Sequence, residues 1–203
     1  MAGNNIAPVV KLLQTMGFEN GLEHALRAKA CFLPSHFEVL HKLDRAGDSC
    51  TFHLFFKEEA GMYKCLYYDA CYRKEIVFDD AVAASLDTRM KVVDWTVDFD
   101  DIEAIMHDLK VIDPQIANLL LFKYWSGSLL ENSIGGIASL RLQYEISQRF
   151  YVIEGSTPIS VDEAFRFLQS RWMEKQARKR EAPTVPGIAP KARKATKKTK
   201  QKS

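Results

Sequence analysis

SCTFHLFFKEEAGMYKCLYYDA, residues 49–70, reads as two β-strands joined by a tight turn. Cys50, Phe52, Leu54 and Phe56 alternate with Thr51, His53, Phe55 and Lys57; Tyr63, Cys65 and Tyr67 alternate with Met62, Lys64, Leu66 and Tyr68. Strand side chains point to opposite faces with period two, so each strand has one strongly apolar face. Glu58-Glu59-Ala60-Gly61 is a short polar loop whose glycine supplies the positive φ of a hairpin turn. A register with Phe56 opposite Tyr63, Leu54 opposite Cys65 and Phe52 opposite Tyr67 gathers the aromatics on one face. A slip of one residue scatters them.

Moving outward on the N-terminal side, Phe37, Val39 and His41 alternate with Glu38, Leu40 and Lys42, which predicts a strand; residues 44–48 turn the chain into the hairpin. Earlier still, Ile6, Val9, Val10, Leu13 and Met16, then Leu22, Ala25, Leu26 and Ala30, recur at helical spacing. They predict two amphipathic helices lying on the sheet.

On the C-terminal side, residues 72–78 read as a further strand with Ile76 and Phe78 on one face, and Asp79-Asp80 as the cap of a helix through Met90. Val93, Trp95, Val97 and Phe99 alternate with Asp94, Thr96, Asp98 and Asp100, predicting a strand with a solvated acidic face. Asp100, with Glu103 in the capping-box position, starts a helix that buries Ile102, Ile105, Met106 and Leu109. Asp113-Pro114 starts another, thickly apolar through Trp125 and stopped by Ser126-Gly127-Ser128. After the break at Gly135-Gly136, Leu140, Leu142, Tyr144 and Ile146 alternate as in a strand, with a helix as the alternative; residues 150–153 extend or pair with it. Ser160-Val161-Asp162-Glu163 is a capping box for a last helix with Val161, Phe165, Leu168 and Trp172 on one face. The pattern predicts an α+β fold: an antiparallel sheet centred on the hairpin 49–70, covered by helices, as one domain over residues 5–175 whose last helix reaches about residue 180.

Charge divides the chain sharply. Residues 1–170 carry 16 Lys+Arg against 24 Asp+Glu, while residues 171–203 carry 12 against two, so a net −8 and a net +10 give the overall +2. Arg171, Lys175, Arg178, Lys179 and Arg180 load the C-terminal end of the last helix, where the dipole favours cations. Residues 182–203 follow, with Pro183, Pro186 and Pro190 and then Lys191, Arg193, Lys194, Lys197, Lys198, Lys200 and Lys202. Their only large apolar residues are Val185 and Ile188, too little to offset the entropy of ordering, so the composition predicts a disordered basic tail. No run approaches the roughly 20 apolar residues of a membrane span, and the N-terminus lacks a basic stretch ahead of an apolar one, which predicts a cytoplasmic location. Cys31, Cys50, Cys65 and Cys71 include no Cys-x-x-Cys pair, and the expectation is buried thiols in a reducing compartment.

Two stretches carry a resemblance. Phe52–Lys57, Gly61–Lys64, Tyr68–Ala70 and Arg73–Glu75 resemble a hairpin in uncharacterised proteins of Bacteroidota, often on conjugative or other mobile elements. Phe150–Gly155 followed by Ile159–Leu168 resembles a strand-turn-helix piece in similar proteins. The resemblance covers about a quarter of the chain; it implies a bacterial cytoplasm and mobile-DNA surroundings and carries no activity.

The functional reading therefore centres on the basic residues. Flexible lysines and arginines neutralise phosphates and release counterions, giving affinity without sequence reading. The expected binding set is Arg178, Lys179, Arg180, Lys191, Arg193, Lys194, Lys197, Lys198, Lys200 and Lys202, with no aromatic in the tail for base stacking. The spacing of residues 178–180 and 191–194 also matches a bipartite nuclear import signal, accidental if the bacterial resemblance holds. The sequence-level expectation is a non-enzymatic accessory protein: the tail binds nucleic acid and the folded body engages a partner protein. The alternatives are a protein-interaction module without a nucleic-acid role and, third, an enzyme. Against metal, Cys50 and His53 have opposite parity on one strand and so cannot converge with Cys65 and Cys71. His24, His36, His41, His53 and His107 are scattered with no Gly-x-Ser-x-Gly nearby. Asp94, Asp98, Asp100 and Asp101 read as a solvated face and a cap rather than a metal-dependent nuclease site. No glycine-rich phosphate loop is present, and no cofactor is expected.

Overall fold

The computed structural model describes residues 6–18 and 21–181, with seven α-helices and four strands among them. Helices α1 (Ala7–Thr15) and α2 (Gly21–Ala30) precede strands β1 (His36–Arg45), β2 (Asp48–Glu59) and β3 (Met62–Arg73). Then come helices α3 (Ala81–Val92), α4 (Phe99–Leu109), α5 (Pro114–Trp125), a 3-10 turn (Leu129–Ser133) and α6 (Ile137–Tyr144). Strand β4 (Glu145–Tyr151) and helix α7 (Val161–Glu181) complete the described chain. The four strands pair antiparallel in the order β1-β2-β3-β4, so four helices are inserted between two neighbouring strands. The α+β sheet built on the hairpin is the expected one.

Both hairpin turns have two residues, each with positive φ: Ala46 and Gly47 (49° and 85°), then Ala60 and Gly61 (53° and 82°). That geometry matches the twist of the flanking strands. A Cβ on Gly47 would also lie 2.2 Å from the Glu75 carboxylate.

The register differs from the expected one. Phe56 faces Cys65 and Glu58 faces Tyr63, and beyond an irregularity between Phe55 and Phe56 Leu54 faces Tyr68 and Phe52 faces Ala70. Leu66 is the extra residue of a β-bulge, so the inward parity of β3 shifts from Tyr63 and Cys65 to Tyr68, Ala70 and Tyr72. Tyr67 is thereby turned away from the core.

The inner face packs under α1, α2 and the first half of α7. Phe18 meets Phe52 and Tyr68 edge-on at 5.5 and 5.9 Å, Phe37 stacks on Phe56 at 5.0 Å, and Tyr72 meets Phe165 at 5.6 Å. The buried tyrosines keep their hydroxyls satisfied: Tyr63 donates to the Pro34 carbonyl and Tyr68 to that of Ile159, both at 2.8 Å. Ser160 and Glu163 form the expected capping box, and the Val161 N–H donates to the Met16 carbonyl at 2.8 Å. One charged side chain is buried among the described residues. Asp48, 3% exposed, accepts hydrogen bonds from Tyr72, Lys74 (2.8 Å), the Glu75 N–H (3.0 Å) and Gln169 (3.3 Å). It ties β2, the end of β3 and α7 together.

The inserted helices have apolar clusters of their own, around Leu86, Met90, Ile105 and Leu120, and around Ile76, Phe122, Trp125 and Ile134. Arg73 joins them to the sheet: it donates to Glu145 at 2.6 Å and to the Ser126 hydroxyl at 2.8 Å, with its guanidinium 4.7 Å from the Phe122 ring centre. Asp80 and Asp113 cap α3 and α5 as expected.

Three expected strands are corrected. Residues 93–98 form turns, because the Asp94 carboxylate accepts from the Thr96 N–H and hydroxyl while Asp98 accepts from the Asp94 N–H. These local bonds satisfy the backbone without a partner strand. Helix α4 accordingly starts at Phe99 with Asp98 at its N-cap, and Asp100 lies in the first turn rather than capping it. Residues 137–144 are helical and the strand starts only at Glu145, while β3 ends at Arg73, leaving residues 74–79 irregular so that Ile76 reaches the helical cluster. Cys31, expected to be buried, is exposed.

Candidate nucleic-acid interface

Helix α7 changes character along its length. Val161, Ala164, Phe165 and Leu168 are buried, Trp172 is partly so, and Arg178, Lys179 and Arg180 are exposed. Lys175 fixes where the helix leaves the body by donating to the carbonyls of Leu142 (2.6 Å) and Glu145 (3.2 Å). Burial, and then the charge of Lys179, lower the Lys175 pKa. Of the expected binding residues, Arg178, Lys179 and Arg180 therefore sit together on one exposed turn, with Arg178 only loosely paired to Glu174 at 3.9 Å. Lys191, Arg193, Lys194, Lys197, Lys198, Lys200 and Lys202, and the expected disorder of residues 182–203, lie outside the described residues.

The second feature is the sheet face turned away from α1, α2 and α7. Register places its side chains in rows across the strands. One row runs Glu38, Phe55, Tyr67, Tyr151; the next runs Leu40, His53, Asp69, Arg149; a third runs Lys42, Thr51, Cys71, Ser147. In the first, Phe55 and Tyr67 stack at 4.5 Å and Tyr67 and Tyr151 meet at 6.0 Å, with Tyr151 64% exposed. Arg149 forms a two-pronged ion pair with Asp69, both bonds 2.7 Å, and lies 4.0 Å from the Tyr67 ring centre. From the second row onward the face runs into a cleft of about 660 Å³ beside α6, lined by His53, Cys71, Arg73, Arg141 and Lys175 among others.

The sequence reading missed this aromatic row. Its signal is the doublets Phe55-Phe56 and Tyr67-Tyr68: when neighbours on one strand are both aromatic, one of them must face away from the core.

Three of the four thiols are held in their unreactive form. Burial pushes Cys50, Cys65 and Cys71 up to about 12, so each stays protonated at neutral pH. Among the described residues no group of three or more His, Cys, Asp or Glu side chains could hold a metal ion, and Cys50 is buried in the core while His53 lies on the opposite face. Hydrogen bonds from the Thr96 hydroxyl and N–H hold Asp94 below the usual carboxylate range, as part of a turn.

No described helix is long and apolar enough to cross a membrane. No known protein family, curated protein or solved structure matches the chain.

Proposed function

We propose that the protein is a non-enzymatic, nucleic-acid-associated accessory protein, attached through its basic C-terminal residues, with a folded body that engages a partner protein. The observation that carries this reading is the exposed turn Arg178–Arg180, followed after ten intervening residues by the lysine-rich residues 191–202, on a chain whose first 170 residues are net acidic. Such a segment neutralises phosphates without reading sequence. The partner surface is the groove of about 440 Å³ beside the edge strand β4, where Phe150, Ile159 and Phe167 give apolar walls next to the open edge of the sheet.

A salt titration tests the attachment. If all ten basic residues engage a duplex, the log–log slope of affinity against salt is about −9, and it becomes about −3 or shallower for a chain ending at Glu181. The clustered core residues all precede Lys175, so the shortened chain keeps them. Equal slopes for the two chains, or no binding by either, refute the attachment.

A further inference from the structure

We infer that the uncovered face of the sheet binds unpaired nucleic acid, with Tyr151 and Tyr67 stacking bases; this rests on the nucleic-acid reading above. An antiparallel sheet with one solvated face normally alternates to polar residues there. Here the solvated face carries Phe55, Tyr67 and Tyr151 side by side on three neighbouring strands. Aromatic rings on an open sheet are stacking platforms for bases, and every base offers a π-face, so the contact tolerates any sequence.

Charge beside the rings favours this occupant over an apolar peptide. The Arg149 guanidinium, held by Asp69, lies 4.0 Å from the Tyr67 ring centre and joins the platform. The same face runs into the cleft lined by Arg73, Arg141 and Lys175 against Asp69 and Glu145, and α7 carries Arg178–Arg180 onward from Lys175 within its next turn. Arg149, Arg73 and Arg141 are themselves ion-paired, to Asp69, Glu145 and Glu131, so on a body of net −8 the cations this face offers a phosphate are those of the adjoining exposed turn Arg178–Arg180. A duplex keeps its bases paired and cannot use the rings, so the face and the tail make separable contributions.

The experiment uses the full chain with fluorescein-labelled oligothymidine of about 20 nucleotides and a duplex of the same length, followed by anisotropy. Four proteins are compared: wild type, Tyr151→Ala, Tyr151→Phe, and a chain with the seven basic residues from Lys191 to Lys202 replaced by Gln. Tyr151 is exposed, so its substitution leaves the melting temperature in place, and circular dichroism checks this. The expected result is single-strand binding weakened about fivefold or more by Tyr151→Ala, retained by Tyr151→Phe, and duplex binding unchanged by either. Equal single-strand affinities for wild type and Tyr151→Ala overturn the inference; if the Gln-substituted chain then loses all binding, the tail reading survives alone. Single-strand binding that persists in the Gln-substituted chain and falls with Tyr151→Ala upholds the face and overturns the tail. A protein retained by wild type and released by Tyr151→Ala, without a single-strand effect, makes the face a protein surface and overturns the inference.

Discussion

Replacing Asp48 tests what ties β2, the end of β3 and α7 together. The carboxylate is 3% exposed and accepts from Tyr72, Lys74, the Glu75 N–H and Gln169. Burial acts to raise its pKa, but the hydrogen bonds from Lys74, Tyr72 and Glu75 outweigh that and hold it below the usual carboxylate range. Asp48→Ala leaves the Tyr72 hydroxyl, the Glu75 N–H and the Lys74 ammonium without this acceptor, a loss of about 3–5 kcal/mol. At about 2–4 °C per kcal/mol for a chain of this size, melting falls by about 6–20 °C. Asp48→Asn keeps the shape and one acceptor oxygen but not the charge, and costs about 2 kcal/mol. A group whose folded pKa is depressed contributes stability above its unfolded pKa and loses it as pH falls through the folded value. The gap between wild type and Asp48→Asn is therefore full at about pH 7 and narrows below the unfolded aspartate value of about 3.9. Thermal unfolding followed by circular dichroism across that range is the assay. A gap that stays constant from about pH 7 to pH 3, or an Asp48→Asn protein melting within about 1 °C of wild type at pH 7, refutes the argument.

Ala60, at φ 53° in the two-residue turn between β2 and β3, is an unfavourable residue there; Ala60→Asn is expected to stabilise by about 0.5 kcal/mol and Gly61→Ala to destabilise by about 1–2 kcal/mol, both read from urea midpoints. Asp113 accepts from the N–H groups of Gln115 and Ile116, so Asp113→Ala costs about 1 kcal/mol in the same assay. A thiol reagent added to the native protein is expected to modify Cys31 rapidly and Cys50, Cys65 and Cys71 only on unfolding, because the last three are wholly or partly buried with pKa values pushed up to about 12. Rapid native modification of Cys50 or Cys65 would contradict the packing of the inner face.

The sequence spoke clearly where one signal had one reading. Leu22, Leu26 and Ala30 fit only a helix face, and Asp113-Pro114 fits only a helix start. It misled where two physical solutions share a pattern. Residues 93–99 alternate as well as any strand, yet Asp94 and Asp98 bond the local backbone and close turns instead. Leu140, Leu142 and Tyr144 fit either period, and the absence of a second strand to pair with them before Glu145 leaves them helical. The hairpin register failed for a subtler reason. With Tyr67 and Tyr68 both aromatic, burying either one satisfies the inner face, and the bulge at Leu66 decides for Tyr68. That same choice turns Tyr67 outward, so the misread register and the missed aromatic row have one cause. Of the basic candidate residues, position along the chain was readable, but the exposure of Arg178–Arg180 depends on how Lys175 docks against α6, which no local pattern records.

An acidic body is not an obstacle to this arrangement, because distance along α7 separates the two charges. Trp172 is the last residue of the helix that packs against the sheet core. Arg180 lies eight residues further on, about 12 Å along the axis at 1.5 Å per residue. The screening length at physiological salt is about 8 Å, so the field of the body's carboxylates has decayed substantially by the last turn. The helix macrodipole adds in the same direction, since its negative end draws cations to that turn and keeps them there. The Lys175 contacts with the Leu142 and Glu145 carbonyls then determine where this cationic end stands relative to the sheet: beside the cleft that continues the aromatic face. On the proposed reading, a phosphate chain held at Arg178–Arg180 is thereby brought beside the sheet face on which Phe55, Tyr67 and the Arg149 guanidinium lie together.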